Sequence, residues 1–289
     1  MFRHLYYFLY IGVSRIWSKR EKMPELPEVK TIQDQLNKVM PFEIKSFKTS
    51  NVVNSILHTK LDKIKGKTIL TVSRKGKMLD FILNDNRHLL SHLGMTGTWL
   101  ISKEQILEKH THLQFKSDQF FLAYVDPRRF GHMYLYNQEK AQLKLGELGV
   151  DLLDPNFSED YFIHSLKKYP ERQIKVSLLD QSLFAGTGNY IANEICAHAR
   201  VRPQRRVKTL TLKELAALYQ GVFKVLNPTI NSGGTTFAGG YRDTTGDKGS
   251  GVNHLVVFYQ KTCQLCKSEK VKKIILAQRG TYYCPSCQK

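Results

Sequence analysis

Acidic side chains are scarce in this 289-residue chain: 25 Asp and Glu stand against 44 Lys and Arg, a formal net charge of +19. Such an imbalance is silent about fold but points to a polyanionic partner such as nucleic acid. The plainer alternative is a surface charged only for solubility. Long apolar runs are also missing. No stretch of roughly 18 apolar residues exists, which excludes a membrane-spanning helix. There is no internal repeat, and a hydrophobic share of 42%, ordinary for a globular protein, argues against disorder. The length suits two domains, or three if one is small and stapled.

Cysteine is sparse, yet four of the five are paired: Cys263 with Cys266 and Cys284 with Cys287, with 17 residues between the pairs. Two C-x-x-C turns at this separation match a zinc ribbon, because each turn presents two thiolates to one tetrahedral ion. Two disulfides are the competing reading. Cys196, in an apolar helical stretch, reads as inert core. The picture is a reducing cytosol and one structural Zn2+.

Residues 1–22 differ from the rest: aromatic and basic, with one acidic residue, Glu21. A signal peptide lacks a small-x-small cleavage site here, whereas an organellar presequence fits the Arg-rich composition better. The third reading, which we favour, is a start at Met23. Lys19-Arg20-Glu21-Lys22 back-translates to a purine-rich stretch resembling a ribosome-binding site just ahead of the Met23 codon.

After Met23, Val29, Ile32, Leu36 and Val39 recur at helical spacing, and prolines in a first turn cost a helix nothing. Seven short apolar or alternating runs follow: 68–72, 77–83, 88–92, 98–101, 112–115, 120–125 and 133–136. Turn signals separate them, which predicts a β-sandwich closing near Val150. Helices are expected at 159–169, 174–180 and 188–200, and behind the capping box Thr211-Leu-Lys-Glu214. A glycine-rich segment at 239–251 predicts a mobile loop. The expected architecture is α+β: a leader at 1–22, a sandwich with an N-terminal helix at 23–150, a helical domain at 151–254 and a zinc ribbon at 255–289.

Six motifs occur in order: Pro24-Glu-Leu-Pro-Glu-Val29, His92-Leu-Gly-Met-Thr-Gly97, Asp126-Pro-Arg-Arg-Phe-Gly131, Ile174-Lys-Val-Ser-Leu-Leu-Asp-Gln181, Gly186-Thr-Gly-Asn189 and the C-x-x-C pairs. From Met23 onward the chain resembles the formamidopyrimidine-DNA glycosylases. The resemblance implies a helix–two-turn–helix domain and a base-excision-repair glycosylase with abasic-site lyase activity. Its substrate would be oxidised purines, 8-oxoguanine and formamidopyrimidines, in duplex DNA. The expected setting is the bacterial cytoplasm, at the nucleoid, and the sequence itself suggests a monomer.

In that family the initiator Met is removed and the proline amine attacks the sugar. An α-amine near pKa 8 is partly unprotonated at neutral pH, but an amide nitrogen is not a nucleophile. Pro24 therefore serves only if nothing precedes it; otherwise it simply starts a helix. Glu25 resembles the general acid/base, and the alternative is a first-turn carboxylate complementing the helix dipole. Glu28 fits that second job alone. Lys77 and Lys175 match phosphate- and lesion-contacting lysines, against the usual solvated-surface reading. Asn189 matches a phosphate contact at a helix start. Arg279 matches an arginine gripping a flanking phosphate from the ribbon hairpin, with zinc folding that hairpin.

Met95, Arg128 and Phe130 match the trio filling the gap left by an extruded base, although periodicity alone makes Met95 and Phe130 core. Two departures stand out. Tyr190-Ile191 reverses the family's usual order, leaving the role of Tyr190 open, and Val257-Phe-Tyr-Gln260 replaces Val-Tyr-Gly-Arg. An endonuclease VIII type acting on oxidised pyrimidines is the nearest alternative. A non-catalytic DNA-binding homologue follows if the leader stays.

Overall fold

The computed structural model describes residues 23–238 and 240–289; the leader expected at 1–22 lies outside them. Helix α1 (Leu26–Asn37) opens the described chain and buries its Leu26, Val29, Ile32 and Leu36 stripe. Strands β1 (Phe42–Glu43), β2 (Ser46–Thr49), β3 (Thr68–Lys75), β4 (Met78–Leu83), β5 (Arg87–His92), β6 (Thr98–Ser102), β7 (Thr111–Lys116), β8 (Phe121–Val125) and β9 (His132–Asn137) follow. They form two antiparallel sheets, β1-β3-β4-β5-β9 and β2-β7-β8-β6. This is the expected sandwich. Its core surrounds fully buried Trp99, whose ring meets Phe81, Phe115 and Tyr124. The indole N–H donates to Ser91 Oγ at 3.0 Å, so the polar edge is satisfied inside the core.

Residues 138–150, expected to finish the sandwich, instead carry α2 (Gln138–Gly146). Only Ala141 of that helix is buried, so the sequence offers almost no apolar period to read. Then come β10 (Val150–Asp151), α3 (Glu159–Lys167), α4 (Ile174–Leu178), β11 (Phe184–Ala185), α5 (Asn189–His198) and α6 (Leu212–Asn231). The Thr211–Glu214 capping box is present at the start of α6. The chain ends in the hairpin β12 (Lys272–Leu276) and β13 (Arg279–Tyr283).

The helices and hairpin share a second core, in which Leu26 of α1 also takes part, whereas Val29, Ile32 and Leu36 pack into the sandwich. Helix α1 therefore stitches the two halves together. Arg74 and Asp151 do the same with a buried bidentate pair, and Asp151 also accepts from Gly76 N. No helix among the described residues is long and apolar enough to cross a membrane.

Candidate active site

A cavity of about 240 Å³ opens where these segments meet. Met23 and Glu25 line it from the start of α1, Lys77 and Met78 from the β3–β4 turn, and His92 from the end of β5. Gln181, Gly188 and Asn189 contribute from the approach to α5, and Arg279 from the hairpin. Pro24 is buried between Met23 and Glu25.

The Glu25 carboxylate sits on the N-terminus of α5, accepting from Tyr190 N at 3.0 Å and Ile191 N at 3.2 Å. Gly188 permits this approach: a Cβ there would lie 2.0 Å from Glu25 Cδ. Burial raises the Glu25 pKa above the usual carboxylate range, against the opposing pull of Lys77 and the helix amides. The half-buried Lys77 ammonium is lowered by burial and by Arg279, with Glu25 pulling the other way. His92 is held down at about 4 by burial, then by Lys77 and His132, so its ring is neutral at physiological pH. The site thus juxtaposes a buried carboxyl whose proton affinity is raised with an ammonium whose proton affinity is lowered.

Glu28 does more than complement a helix dipole. It accepts from Glu25 N at 2.7 Å, Thr235 N at 2.6 Å and the Tyr190 hydroxyl at 3.1 Å. Burial, then the charge of Glu25, pushes it up to about 7. The Tyr190 phenol thereby ties α5 to α1, and its ring packs on Phe237 and Phe258.

Lys175 lies beneath the ribbon hairpin. It is fully buried, and its ammonium donates to Gly280 O at 3.2 Å and Thr281 Oγ1 at 2.6 Å. In this structure it braces the hairpin that carries Arg279 and does not face solvent. Asn189 joins that brace while lining the cavity, donating from Nδ2 to Gly280 O at 3.1 Å. Met95 is also buried, in the turn after β5. Phe130 is 46% exposed, with the Arg128 guanidinium 4.6 Å from its ring centre.

The two turns interlock. Gly94 has φ +65°, and a Cβ there would strike the Phe130 carbonyl. Asp126 holds both turns, accepting from Thr96 Oγ1 at 2.6 Å and Gly131 N at 2.9 Å.

The Sγ atoms of Cys263, Cys266, Cys284 and Cys287 all lie within 4.8 Å of one another. Tetrahedral Zn–S bonds of about 2.3 Å imply S···S separations near this range, so the four thiolates could bind a structural zinc. Glu194 anchors the chain just before them, accepting from the amides of Val256, Val257 and Phe258. Cys196 is buried and its thiol is pushed up to about 12, which makes it inert.

Two family models match the chain: the formamidopyrimidine-DNA glycosylase N-terminal domain over residues 23–133 and the corresponding H2TH domain over 148–239. A formamidopyrimidine-DNA glycosylase of Oceanobacillus iheyensis is 37% identical, covering 92% of this chain and 98% of its own. The chain belongs to the formamidopyrimidine-DNA glycosylase family. A relative from Listeria monocytogenes is 35% identical over 92% of this chain and all of its own. Among solved structures, Lactococcus lactis Fpg bound to N7-benzyl-Fapy-dG DNA is 31% identical, with a TM-score of 0.83 over 92% of this chain and 100% of that one. The Thermus thermophilus protein is 32% identical, with a TM-score of 0.82 over 92% and 98%.

Sequence reasoning passed over His92, Arg74 and Asp151. His92 carried a signal, since it directly precedes the Gly94 turn in a family motif. The Arg74–Asp151 pair joins positions far apart in the chain and has no local signature.

Proposed function

We propose that this chain is a DNA glycosylase with abasic-site lyase activity that removes oxidised purines from duplex DNA. Residues 23–150 serve as the catalytic sandwich, 151–254 as the helix–two-turn–helix domain and 255–289 as the zinc-bearing finger. The reading rests on one observation above all: the Met23-Pro24-Glu25 segment lies at the cavity where Glu25, Lys77 and Arg279 converge. Once Met23 is removed, the Pro24 amine adds to the sugar C1′ as the damaged base leaves. Glu25 delivers a proton to the ring oxygen, opening the sugar to a cationic iminium. The Glu25 carboxylate, having given up its proton, takes the C2′ proton; the C–H electrons pass to the iminium as an enamine, which returns them to expel the 3′-phosphate. Lys77, Asn189 and Arg279 hold phosphates. Phe130 and Arg128 occupy the gap in the stack, and Met95 would have to emerge from its buried turn to join them. Lys175 acts through the hairpin. The enzyme works as a monomer in the bacterial cytoplasm, at the nucleoid.

The test is borohydride trapping on a duplex carrying 8-oxoguanine, with the protein made from its native gene and the cross-linked peptide identified by mass. The expected adduct lies on a peptide beginning at Pro24. Protein beginning at Pro24 that forms no adduct overturns the mechanism. A protein that keeps residues 1–23 and binds without trapping is a DNA-binding homologue with a blocked amine.

A further inference from the structure

A second group of ionisable side chains lies outside the cavity, on the sandwich edge leading to Phe130. His132 opens the edge strand β9 and stands directly opposite His92 in the β5–β9 register. Its Nδ1 lies 2.8 Å from His58 Nε2, and the two exposed rings meet edge to edge, 28° apart in plane with centres 5.1 Å apart. His58 also stacks on Tyr134 at 5.0 Å. The backbone fixes this arrangement: His58 N donates to Met133 O at 2.9 Å, and Leu135 N donates to Thr59 Oγ1 at 2.6 Å. Two imidazoles are thus held ring to ring, one of them paired across the sheet with the cavity-lining His92.

We propose that His58 and His132 form a proton-gated phosphate clamp, in which the pair takes up one shared proton and grips a DNA phosphodiester beside the cavity. The inference rests on the glycosylase reading above. A neutral pair has one N–H between the rings and no net charge to offer an anion. One added proton leaves an imidazolium whose N–H still bonds the other ring, so the charge is gained without breaking the pair. The groups facing the pair are His92 from β5 with Lys77 behind it, Asp126 from the neighbouring turn, and Tyr134 of β9. Lys60 and Asp62 share a surface groove with His58. Burial and His58 lower the affinity of His132 for a proton, and Asp126 opposes them. A phosphate placed against the pair adds a second negative partner and pulls the proton on, so DNA binding and protonation reinforce each other.

The test measures Kd for a duplex bearing a tetrahydrofuran abasic analogue at about pH 7.5 and about pH 6, across a salt series. The proteins compared are the full wild-type chain, a His58→Gln/His132→Gln variant and a His58→Arg variant, with thermal melts establishing that each is folded. Glu28 and Glu194, raised to about 7, titrate in all three proteins, and His92, held down at about 4, stays neutral across this range, so the difference between proteins isolates the pair. On acidification the wild type should tighten about fivefold more than the Gln variant. Its log–log salt slope should steepen by about 0.9, the increment for one phosphate, and that of the Gln variant should not. His58→Arg should bind tightly at both pH values. Equal pH responses in wild type and Gln variant overturn the clamp while leaving the glycosylase reading intact. Failure of every protein to hold the duplex at either pH overturns both.

Discussion

The two halves of the molecule are held together by different physics. The sandwich is built of strands that mostly pair with near neighbours in sequence, around an apolar core centred on Trp99. The C-terminal half also has an apolar core, but buried polar side chains act as its struts: Lys175 and Asn189 on the hairpin, Glu194 on residues 256–258, and Asn193 on Tyr282 N. In the sandwich, apolar packing between chain neighbours carries most of the structure, and polar contacts such as Asp126 on its two turns and Asp80 on His88 supplement it. The small hairpin carrying Arg279 buries few apolar side chains beyond Tyr282 and is aimed by hydrogen bonds as well as packing. The cavity lies on the seam, where each half supplies part of the chemistry.

The sharpest way to break this contrast is at the seam itself. Asp151→Ala would leave Arg74 buried without its carboxylate and Gly76 N without its acceptor. The expected loss is about 3–5 kcal/mol in urea unfolding, the usual cost of stripping one partner from a buried ion pair. A loss below about 1 kcal/mol would mean that the halves do not depend on this strut.

The two motif lysines come next. Lys175→Met should cost about 1–3 kcal/mol and hasten zinc release to a chelator, because the hairpin loses two hydrogen bonds. Lys77→Met should leave unfolding within about 0.5 kcal/mol of wild type yet lower borohydride trapping about 100-fold. If Lys175→Met impairs trapping while zinc retention is unchanged, Lys175 contacts DNA after all and the strut description fails.

These lysines also show what was legible in the sequence. Both match family lysines and both carry a charge, and nothing in the string distinguishes a lysine lining a cavity from one buried beneath a hairpin. The seven strands were readable because alternation and turn residues are local signals, and the cysteine pairs because metal geometry fixes their spacing. Helix α2 escaped because a helix that buries one alanine has no stripe. The two-residue parallel pair β10–β11 is too short for any period. Glu28 could be read as a first-turn acid, but its grip on Thr235 depends on a loop about 200 residues away. Tyr190 departs from the family order by one position, and only the packing of α5 on α1 gives it a partner.

The smallest expected effect separates the halves by pH. Trp99→Phe should cost about 1–3 kcal/mol through lost packing and the lost bond to Ser91, with no pH dependence, since neither ring titrates. Glu194 is different. Burial pushes its carboxyl up to about 7 from an ordinary 4.5, despite three amide donors. A raised carboxyl binds its proton more tightly in the folded state. Its contribution is therefore fully present below about pH 4.5 and is lost as pH rises through about 7. Glu194→Gln cannot ionise, so wild type should lose stability relative to this variant across that window, as read by urea midpoints at the two ends. The opposite trend would mean that the amides of Val256, Val257 and Phe258 outweigh burial. The anchor of the zinc-bearing segment would then be an ionised carboxylate, and acid rather than base would loosen it.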